Sequence, residues 1–457
     1  MKIIILGAGQ VGTSVAETLA KEENDIIVVD DDAKKLSELK ARLDISTLHG
    51  NAALPSILEQ AGAEDADMLL SLTSSDETNM IACQVAYTLF HTPYKICRIQ
   101  DVDYLSRSEL FDRKAIPIDE IINPFQEVTN YISRLIDYPG ALQVMNFAGG
   151  KVQLVAVRAF YGGPLVGHEI QTLRSHLPSV DTRVAAIYRD NRPFTPEAST
   201  IIEADDEVFF VAAQKDIPLV MSELRKTEKP YRRVMIAGGG NIGANLAKTL
   251  ENKYQVKILE HSPERCKVLA EKLNNTLILN SDASDKELLL DENIDHTDVF
   301  CALTNNDEIN VMSSLLAKKL GARKVMTLIN NPAYVDLIQG GDIDIAISPQ
   351  RITISCLLRH IRRGDIVNVH SLRHGAAEAI EIIARGDDKS SKVVGRALDE
   401  IPLPEGTVIG ALVRDQEVLI AHHDVVIQTD DHVILFVPDM KNVREVEKLF
   451  QVGLSFF

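Results

Sequence analysis

The chain has 457 residues, a formal net charge of −18, 45% hydrophobic and 25% charged residues, and a mean hydropathy of −0.01. The acidic balance, without any Lys/Arg stripe, excludes a nucleic-acid binder that replaces phosphate counterions and disfavours docking on an anionic lipid surface. No apolar run nears the roughly 18–20 residues that cross a bilayer, and the length predicts about three or four domains.

The opening run Ile3-Ile4-Ile5-Leu6, after a single Lys2, reads as a strand and is too short for a signal peptide. Strands are predicted over Lys2–Leu6, Asp25–Asp30, Ser46–His49, Asp67–Thr73, Lys95–Gln100 and Asp119–Ile122. Helices are predicted over Val11–Ala20, Ala33–Leu43, Leu54–Gln60, Asp76–Phe90 and near Tyr104–Arg113. Continuous apolar strands between amphipathic helices imply a parallel sheet covered on both faces. A proline-led amphipathic helix, Pro124–Ile136, follows; its Val128, Ile132 and Leu135 recur at helical spacing. Leaving the sheet in this way, it is suited to bridge to a partner or to the next subdomain.

Beyond it lie strands with hairpin-like turns such as Arg189-Asp190-Asn191, the pattern of a small α+β domain. The basic, polar stretch Arg225–Lys229 before Pro230 marks the boundary between two halves. The order then repeats. Strands over Arg233–Ala237, Val256–Glu260, Leu277–Leu279, Asp298–Thr304 and Lys324–Ile329 match those of the first half, and Pro349–Ile361 matches the proline-led helix. Asp67, Asp76 and Asn79 reappear 231 positions later as Asp298, Asp307 and Asn310. The small module repeats too: Gly163-Pro164-Leu165-Val166-Gly167 resembles Ser391-Lys392-Val393-Val394-Gly395, and Asp205-Asp206-Glu207-Val208 resembles Asp430-Asp431-His432-Val433. The fold class is therefore α/β, with two doubly wound, Rossmann-like parallel-sheet domains, each followed by a small α+β domain. The expected boundaries are 1–123, a crossover helix over 124–140, 141–225, 231–348, a second crossover helix over 349–365, and 366–453.

The chemistry sits in two glycine turns, Gly7-Ala8-Gly9-Gln10-Val11-Gly12 and Gly238-Gly239-Gly240-Asn241-Ile242-Gly243, each G-x-G-x-x-G and each leading from a strand into a helix. An acidic residue closes the next strand in both, Asp30 and Glu260. Two such turns in register, each with its acidic partner, point to duplicated dinucleotide sites. In the first, Gly7 permits the reversal, Gly9 admits a pyrophosphate and Gly12 lets helix and sheet pack closely. The phosphates would rest on the N–H groups and positive end of the helix, and Asp30 would accept from the adenosine ribose. Asp31 and Asp32 beside it would repel a 2′-phosphate, so NAD is preferred over NADP. Glu260 has the softer neighbours His261 and Ser262, and it reads only a ribose, which NAD, ATP and ADP share. For both turns the alternative is that the glycines serve the reversal alone.

Thr73 and Ser74 fall at the carboxyl end of the fourth strand, the edge that faces a cofactor. Ser74 with Glu77, and Asn305 with Glu308, also read as capping boxes. Asn51-Ala52, and Asp282-Ala283 in the second half, lie on the same rim within reach of an adenine. Arg98, in an otherwise apolar strand, needs a partner: a phosphate, an acid across a subunit interface, or a salt bridge within the domain. The second half has Met326-Thr327-Leu328 there, so the two sites are not equivalent.

A dehydrogenase would need a general acid or base and substrate anchors beside the nicotinamide, and the small modules offer none. His168, His176, His370 and His374 are scattered, and His422-His423 lacks a spaced third ligand. Five dispersed cysteines without C-x-x-C argue for a reducing cytoplasm and against zinc or disulfides. A sensor, not an enzyme, is expected. The rivals are an NAD-dependent oxidoreductase with a duplicated cofactor domain, and an oligomerisation scaffold with vestigial sites.

The run Met1-Lys2-Ile3-Ile4-Ile5-Leu6-Gly7-Ala8-Gly9-Gln10-Val11-Gly12, with Val28-Val29-Asp30, Leu72-Thr73-Ser74-Ser75-Asp76-Glu77-Thr78-Asn79-Met80 and Arg98-Ile99-Gln100-Asp101, resembles the TrkA family of tandem RCK (KTN) regulators. The likeness covers essentially the whole chain, with an RCK-C module trailing each RCK unit. It implies a cytosolic regulatory subunit of a bacterial Trk potassium-uptake system, peripheral on the inner membrane through a TrkH/TrkG-type transporter. It also implies a homotetrameric gating ring, with NAD(H) and ATP/ADP as ligands. On matching positions, Gly7 to Val11, Asp30, Thr73, Ser74 and Arg98 resemble the first nucleotide site, and Gly238 to Ile242 with Glu260 the second. Ser281 in place of Gly50, and the lack of an arginine matching Arg98, depart from the first site.

Overall fold

Every residue from Ile3 to Leu6 is buried, as a strand with helices on both faces requires. In this computed structural model the described residues are all but 22–23, 113, 191, 195, 227, 339–340, 363–364, 373–376, 423–424 and 453–457. Asn191, His374, His423 and residue 453 of the expected final module thus lie outside the described residues.

Strand β1 (Lys2–Leu6) runs parallel to β2 (Asp25–Asp30) on one side and β4 (Met68–Ser71) on the other. With β3 (Ser46–His49), β5 (Tyr94–Arg98) and β6 (Glu120–Ile122), the sheet order is β3-β2-β1-β4-β5-β6. The winding reverses between β1 and β4, the switch point at which doubly wound sheets hold ligands. Helices α1 (Gln10–Ala20), α2 (Ala33–Arg42), α3 (Pro55–Gln60), α4 (Asp76–Phe90) and α5 (Val102–Leu105) connect the strands, and α6 (Pro124–Asp137) leaves the sheet.

The small module that follows pairs β7 (Ala141–Phe147), β8 (Val152–Arg158), β9 (Thr182–Arg189), β10 (Arg192–Phe194) and β11 (Glu207–Ala213) in the order β10-β9-β11-β8-β7, all antiparallel, with α7 (Leu173–His176) and α8 (Ile217–Leu224) beside it. The second parallel sheet has β12 (Arg233–Ala237), β13 (Gln255–Glu260), β14 (Thr276–Asn280), β15 (Val299–Ala302), β16 (Lys324–Leu328) and β17 (Ile345–Ile347) in the order β14-β13-β12-β15-β16-β17, strand for strand the winding of the first. Its helices are α9 (Asn241–Leu250), α10 (Pro263–Lys272), α11 (Lys286–Asp291), α12 (Asp307–Lys319), α13 (Pro332–Ile338) and the departing α14 (Pro349–Ile361). The last module places β18 (Ile366–Leu372), β19 (Ala377–Ile383), β20 (Val408–Arg414), β21 (Glu417–Ile420) and β22 (His432–Val437) in the order β18-β19-β22-β20-β21, with α15 (Val443–Phe450) at its end. The expected α/β class with two doubly wound sheets and two small α+β modules is what the chain adopts.

The chain divides into two compact units, Met1–Val128 with Ser348–Leu357, and Thr129–Ile347 with Leu358–Phe457. Each crossover helix is therefore shared. The first ten residues from Ser348 group with the first Rossmann sheet, and Thr129 onward groups with the second unit. Within the second unit the two antiparallel sheets share one core, in which Phe147, Leu154, Phe209 and Val211 pack with Leu372, Ala379, Ile434 and Phe436. In both modules a buried aspartate takes a two-pronged bond from an arginine. Arg189 reaches Asp206 at 2.8 and 2.7 Å, and Arg414 reaches Asp431 at 2.9 and 2.8 Å.

Local expectations change in several places, among them the fourth strand, which runs Met68–Ser71 rather than Asp67–Thr73. The helix near Tyr104–Arg113 is instead α5 followed by a 3-10 turn over Ser108–Phe111, because Arg107 (φ −116°, ψ 71°) leaves the helical region. The fifth strand ends at Arg98 rather than Gln100, since the N–H groups of Gln100 and Asp101 donate to Asp76 Oδ2 at 2.9 and 2.8 Å instead of to a strand. The caps of α4 and α12 are Ser75 and Asn306, one residue later than the pairs Ser74/Glu77 and Asn305/Glu308 suggest. Ser75 Oγ accepts from Thr78 N at 3.1 Å, and its hydroxyl donates to Glu77 Oε2 at 2.9 Å.

Candidate functional site

Gly7 adopts φ +105° and Gly238 φ +103°, a region that costs an L side chain strain and costs glycine none. A Cβ on Gly12 would lie 1.9 Å from the Gly7 oxygen, and one on Gly243 would lie 2.0 Å from that of Gly238, so helix and strand meet only with hydrogen there. At Gly9 and Gly240 the same atom would meet open space. The middle glycine of each turn is thus free of packing duty and leaves room above the backbone.

Helices α1 and α9 begin at Gly9 and Gly240 with no side-chain cap. Their leading N–H groups consequently lack a side-chain acceptor. The flanking helices α2 and α4 differ, being capped by Asp32 and Ser75. An uncapped helix start above a glycine turn at the switch point is suited to an anion.

Asp30, partly exposed at the end of β2, accepts from Ala8 N at 2.5 Å and from Asp32 N at 2.8 Å, each on a different oxygen. Glu260 repeats this with Gly239 N and Ser262 N, both at 2.8 Å. A carboxylate has about four lone-pair directions, so each acid steadies its turn and keeps acceptor capacity for a ribose hydroxyl. Glu260 is buried and has His261 Nδ1 3.0 Å from Oε1. Arg265 Nε also donates to Gly239 O at 2.7 Å.

The remaining first-site candidates fall on the same carboxyl edge. Asn51 is exposed after β3 and its Oδ1 accepts from Ala53 N at 2.9 Å, while Ala52 is buried. Thr73 and Ser74 follow β4. Ser74 is exposed, but the Thr73 hydroxyl is committed, donating to Asn79 Oδ1 at 2.7 Å. Arg98 ends β5, half-buried. Burial pushes its guanidinium below the ordinary value, and the nearby Asp76 carboxylate pulls the other way. Its Nε lies 2.6 Å from the Gln100 amide oxygen when that amide is turned to accept. Arg98 therefore has an acid neighbour within its own domain.

Sequence reasoning did not assign roles to Asp76 and Asn79, which organise this edge. Fully buried Asn79 accepts from Thr73 N and from the Ser71 and Thr73 hydroxyls, and donates to Thr73 O at 3.1 Å and Arg98 O at 2.9 Å. Asn310 ties Thr304 and Leu328 in the same way, at 3.0 Å for each donated bond. Asp307 holds the N–H groups of Asn330 and Asn331 as Asp76 holds those of Gln100 and Asp101. The available signal was their recurrence in register. A further contributor arrives from far along the chain: Gln350, at the start of α14, donates to Gln10 O at 3.0 Å and also reaches the Ser14 hydroxyl.

Three of the histidines have polar partners. His176 Nδ1 is 2.9 Å from Glu223, His422 Nε2 is 3.0 Å from Asp181, and His370 Nε2 is 3.2 Å from Asn146 O. Among the described residues no group of three His, Cys, Asp or Glu side chains could hold a metal ion. Among them, too, no helix is long and apolar enough to cross a membrane.

The TrkA-N domain pattern matches residues 3–124 and 234–349, and the TrkA-C domain pattern matches residues 154–225 and 387–451. Similar curated proteins include the Trk system potassium uptake protein TrkA of Halomonas elongata, 65% identical over 457 residues, and that of Vibrio alginolyticus, 60% identical over 457 residues. Each comparison covers 100% of both chains. The protein of the same name from Haemophilus influenzae is 51% identical over the same full length. Among solved structures, the GsuK RCK domain aligns with a TM-score of 0.61 at 16% identity, covering 98% of this chain and 94% of that one. The GsuK channel bound to NAD aligns at 0.60 and 16%, covering 98% and 78%. At that identity the likeness concerns the fold.

Proposed function

Because this chain belongs to the TrkA family of potassium uptake proteins, we propose that it is the cytosolic nucleotide-sensing subunit that gates a Trk-type potassium transporter. One observation carries the reading: an uncapped α1 begins over the open space at Gly9, with the Asp30 carboxylate closing the turn at the switch point. That is a cradle for a pyrophosphate on N–H groups with a ribose acceptor opposite. In this reading Gly7 to Gly12 and Asp30 hold NAD or NADH, Asn51 and Ala52 border the adenine, and Ser74 and Arg98 face the rest of the ligand. Gly238 to Gly243 with Glu260 form a second nucleotide site, whose acid reads a ribose that NAD, ATP and ADP share. The name of the GsuK channel bound to NAD supports the ligand class for this fold.

The residues of this rim bind and orient; the reading assigns them no bond-making step. A nucleotide that prefers one arrangement of the protein shifts the balance between arrangements by its difference in affinity, and a membrane transporter of the TrkH/TrkG type reads the shift. The expected assembly is a homotetrameric ring on the cytoplasmic face of the membrane.

The test is potassium flux into liposomes that carry the transporter, with and without this chain, across NAD, NADH, ATP and ADP. NADH should change the flux, and Gly9→Val or Asp30→Ala should abolish that response while the chain still docks. Turnover of NADH with a metabolite pool, lost in Asp30→Ala, would favour the oxidoreductase instead. Calorimetry without binding of any of the four would leave a scaffold.

A further inference from the structure

A cavity of about 310 Å³ opens where the end of α6, the end of α8 and the start of the second Rossmann sheet come together. Tyr254 follows α9 and precedes β13, so the cavity lies at the amino ends of the strands, away from the glycine turn. Its walls are chiefly Tyr138, Tyr231, Tyr254, Pro139, Pro218 and Pro230. Flat rings and prolines at this volume are the make-up of a small-molecule site rather than of a packing flaw.

The polar groups decide what such a molecule would carry. Both acids at the rim are engaged. Asp137 Oδ1 accepts from the Tyr254 hydroxyl at 2.8 Å and lies 3.9 Å from Lys253. Glu228 is shared between Arg225 and Arg323, the latter at 2.8 Å. The donors are in surplus: Arg225 Nε is buried with no hydrogen-bond partner, and Lys226 makes no ion pair among the described residues. A buried cationic donor left open favours an anionic acceptor.

We infer that this cavity binds a small aromatic carboxylate, its ring against the tyrosines and its carboxylate on Lys226 and the guanidinium of Arg225, both of which line it. Such an occupant would act on a junction that is already gripped from two sides. Arg225 donates to Gly140 O at 2.9 Å, and buried Lys324 donates to Ala141 O at 2.8 Å. Filling the cavity therefore stiffens the passage from the crossover helix into the first small module and from that module into the second sheet. This lies beyond nucleotide sensing and does not depend on it.

The probe is 2-naphthoate, titrated into the nucleotide-free full-length chain by calorimetry, with amide exchange followed in parallel. Saturable binding at one per chain with a Kd below about 1 mM, with slowed exchange over 138–141 and 225–231, is the expected result. Met221→Trp, which fills the cavity from α8, should abolish it. Lys226→Glu at an exposed position should weaken it about tenfold, and this variant keeps the test decisive if the larger side chain upsets folding. No saturable binding overturns the inference. So does binding that survives both variants, or equal affinity for the neutral 2-naphthamide.

Discussion

The two Rossmann sheets share the residues that build the glycine turn and its carboxyl edge and differ at several positions beside them. Gly12 and Gly243 face the same prohibition, with 1.9 and 2.0 Å to the carbonyl behind them. Asn79 and Asn310 make the same bonds to the fourth and fifth strands. Around the ribose acid the copies differ by a compensated exchange. The first pairs Ala8 with Asp30 and the second pairs Gly239 with the longer Glu260. A methyl on Gly239 would fall 2.4 Å from Leu269 Cδ1 and 3.1 Å from Glu260 Oε2. Arg98 at the end of β5 has Leu328 as its counterpart. Behind the edge, Cys83 and Cys97 face each other where Thr327 donates to Ser314 at 2.6 Å. Duplication preserved the turn and its edge, while Ala8, Arg98 and the Cys83–Cys97 pair were exchanged in the second copy.

The largest effect should come from the shared constraint. Gly12→Ala and Gly243→Ala should each destabilise their own unit by about 3 kcal/mol or more, because backbone blocks the new methyl. Calorimetric unfolding reads both, and a mild effect in one alone would break the equivalence of the two scaffolds. Next, Asp30→Ala should weaken NADH binding about thirtyfold, roughly 2 kcal/mol for a charged hydrogen-bond acceptor, while Glu260→Ala leaves it intact and weakens ADP. Titration of each variant with both ligands checks this, and a common loss of both would mean that the sites are not separate.

The small modules extend the contrast to pH. His370 occupies the β18 position that Met145 holds in β7, and burial pushes its imidazole down to about 4. An unfolded histidine titrates near 6.5. Between these values the unfolded chain binds more protons, so stability rises with pH from about 4 to 6.5 and is lost on acidification through that window. Part of the residue meets solvent, so about 1–2 kcal/mol is expected. His370→Met, which copies the first module, should flatten the slope of unfolding midpoint against pH. Smallest of all, Cys83→Ser with Cys97→Thr imports the pair of the second copy and should cost under about 1 kcal/mol in urea unfolding.

The first candidate site was legible to the extent that it is local. Glycine spacing, the acid that closes β2 and the residues after β3 and β4 are all fixed by strand periodicity, and the parallel order brings them to one edge. Asp76 and Asn79 read only as landmarks of the repeat, because their partners stand 24 and 19 residues away and no periodicity reports such bonds. The cap at Ser75 was placed one residue early for a related reason: several polar residues precede α4, and the φ/ψ of each selects the one that caps.

By itself, then, the sequence determined two doubly wound units, two small modules and the geometry of the glycine turns, since hydrophobic period and glycine geometry act within a few residues. Tertiary structure alone decided that Ser348–Leu357 would join the first sheet, bringing Gln350 onto α1. It also decided that the two antiparallel sheets would share one core, and that Tyr138, Tyr231 and Tyr254 would enclose a cavity. Each of these depends on which apolar face finds which partner over hundreds of residues. That choice is made by burial and shape across the whole chain, and local pattern does not encode it.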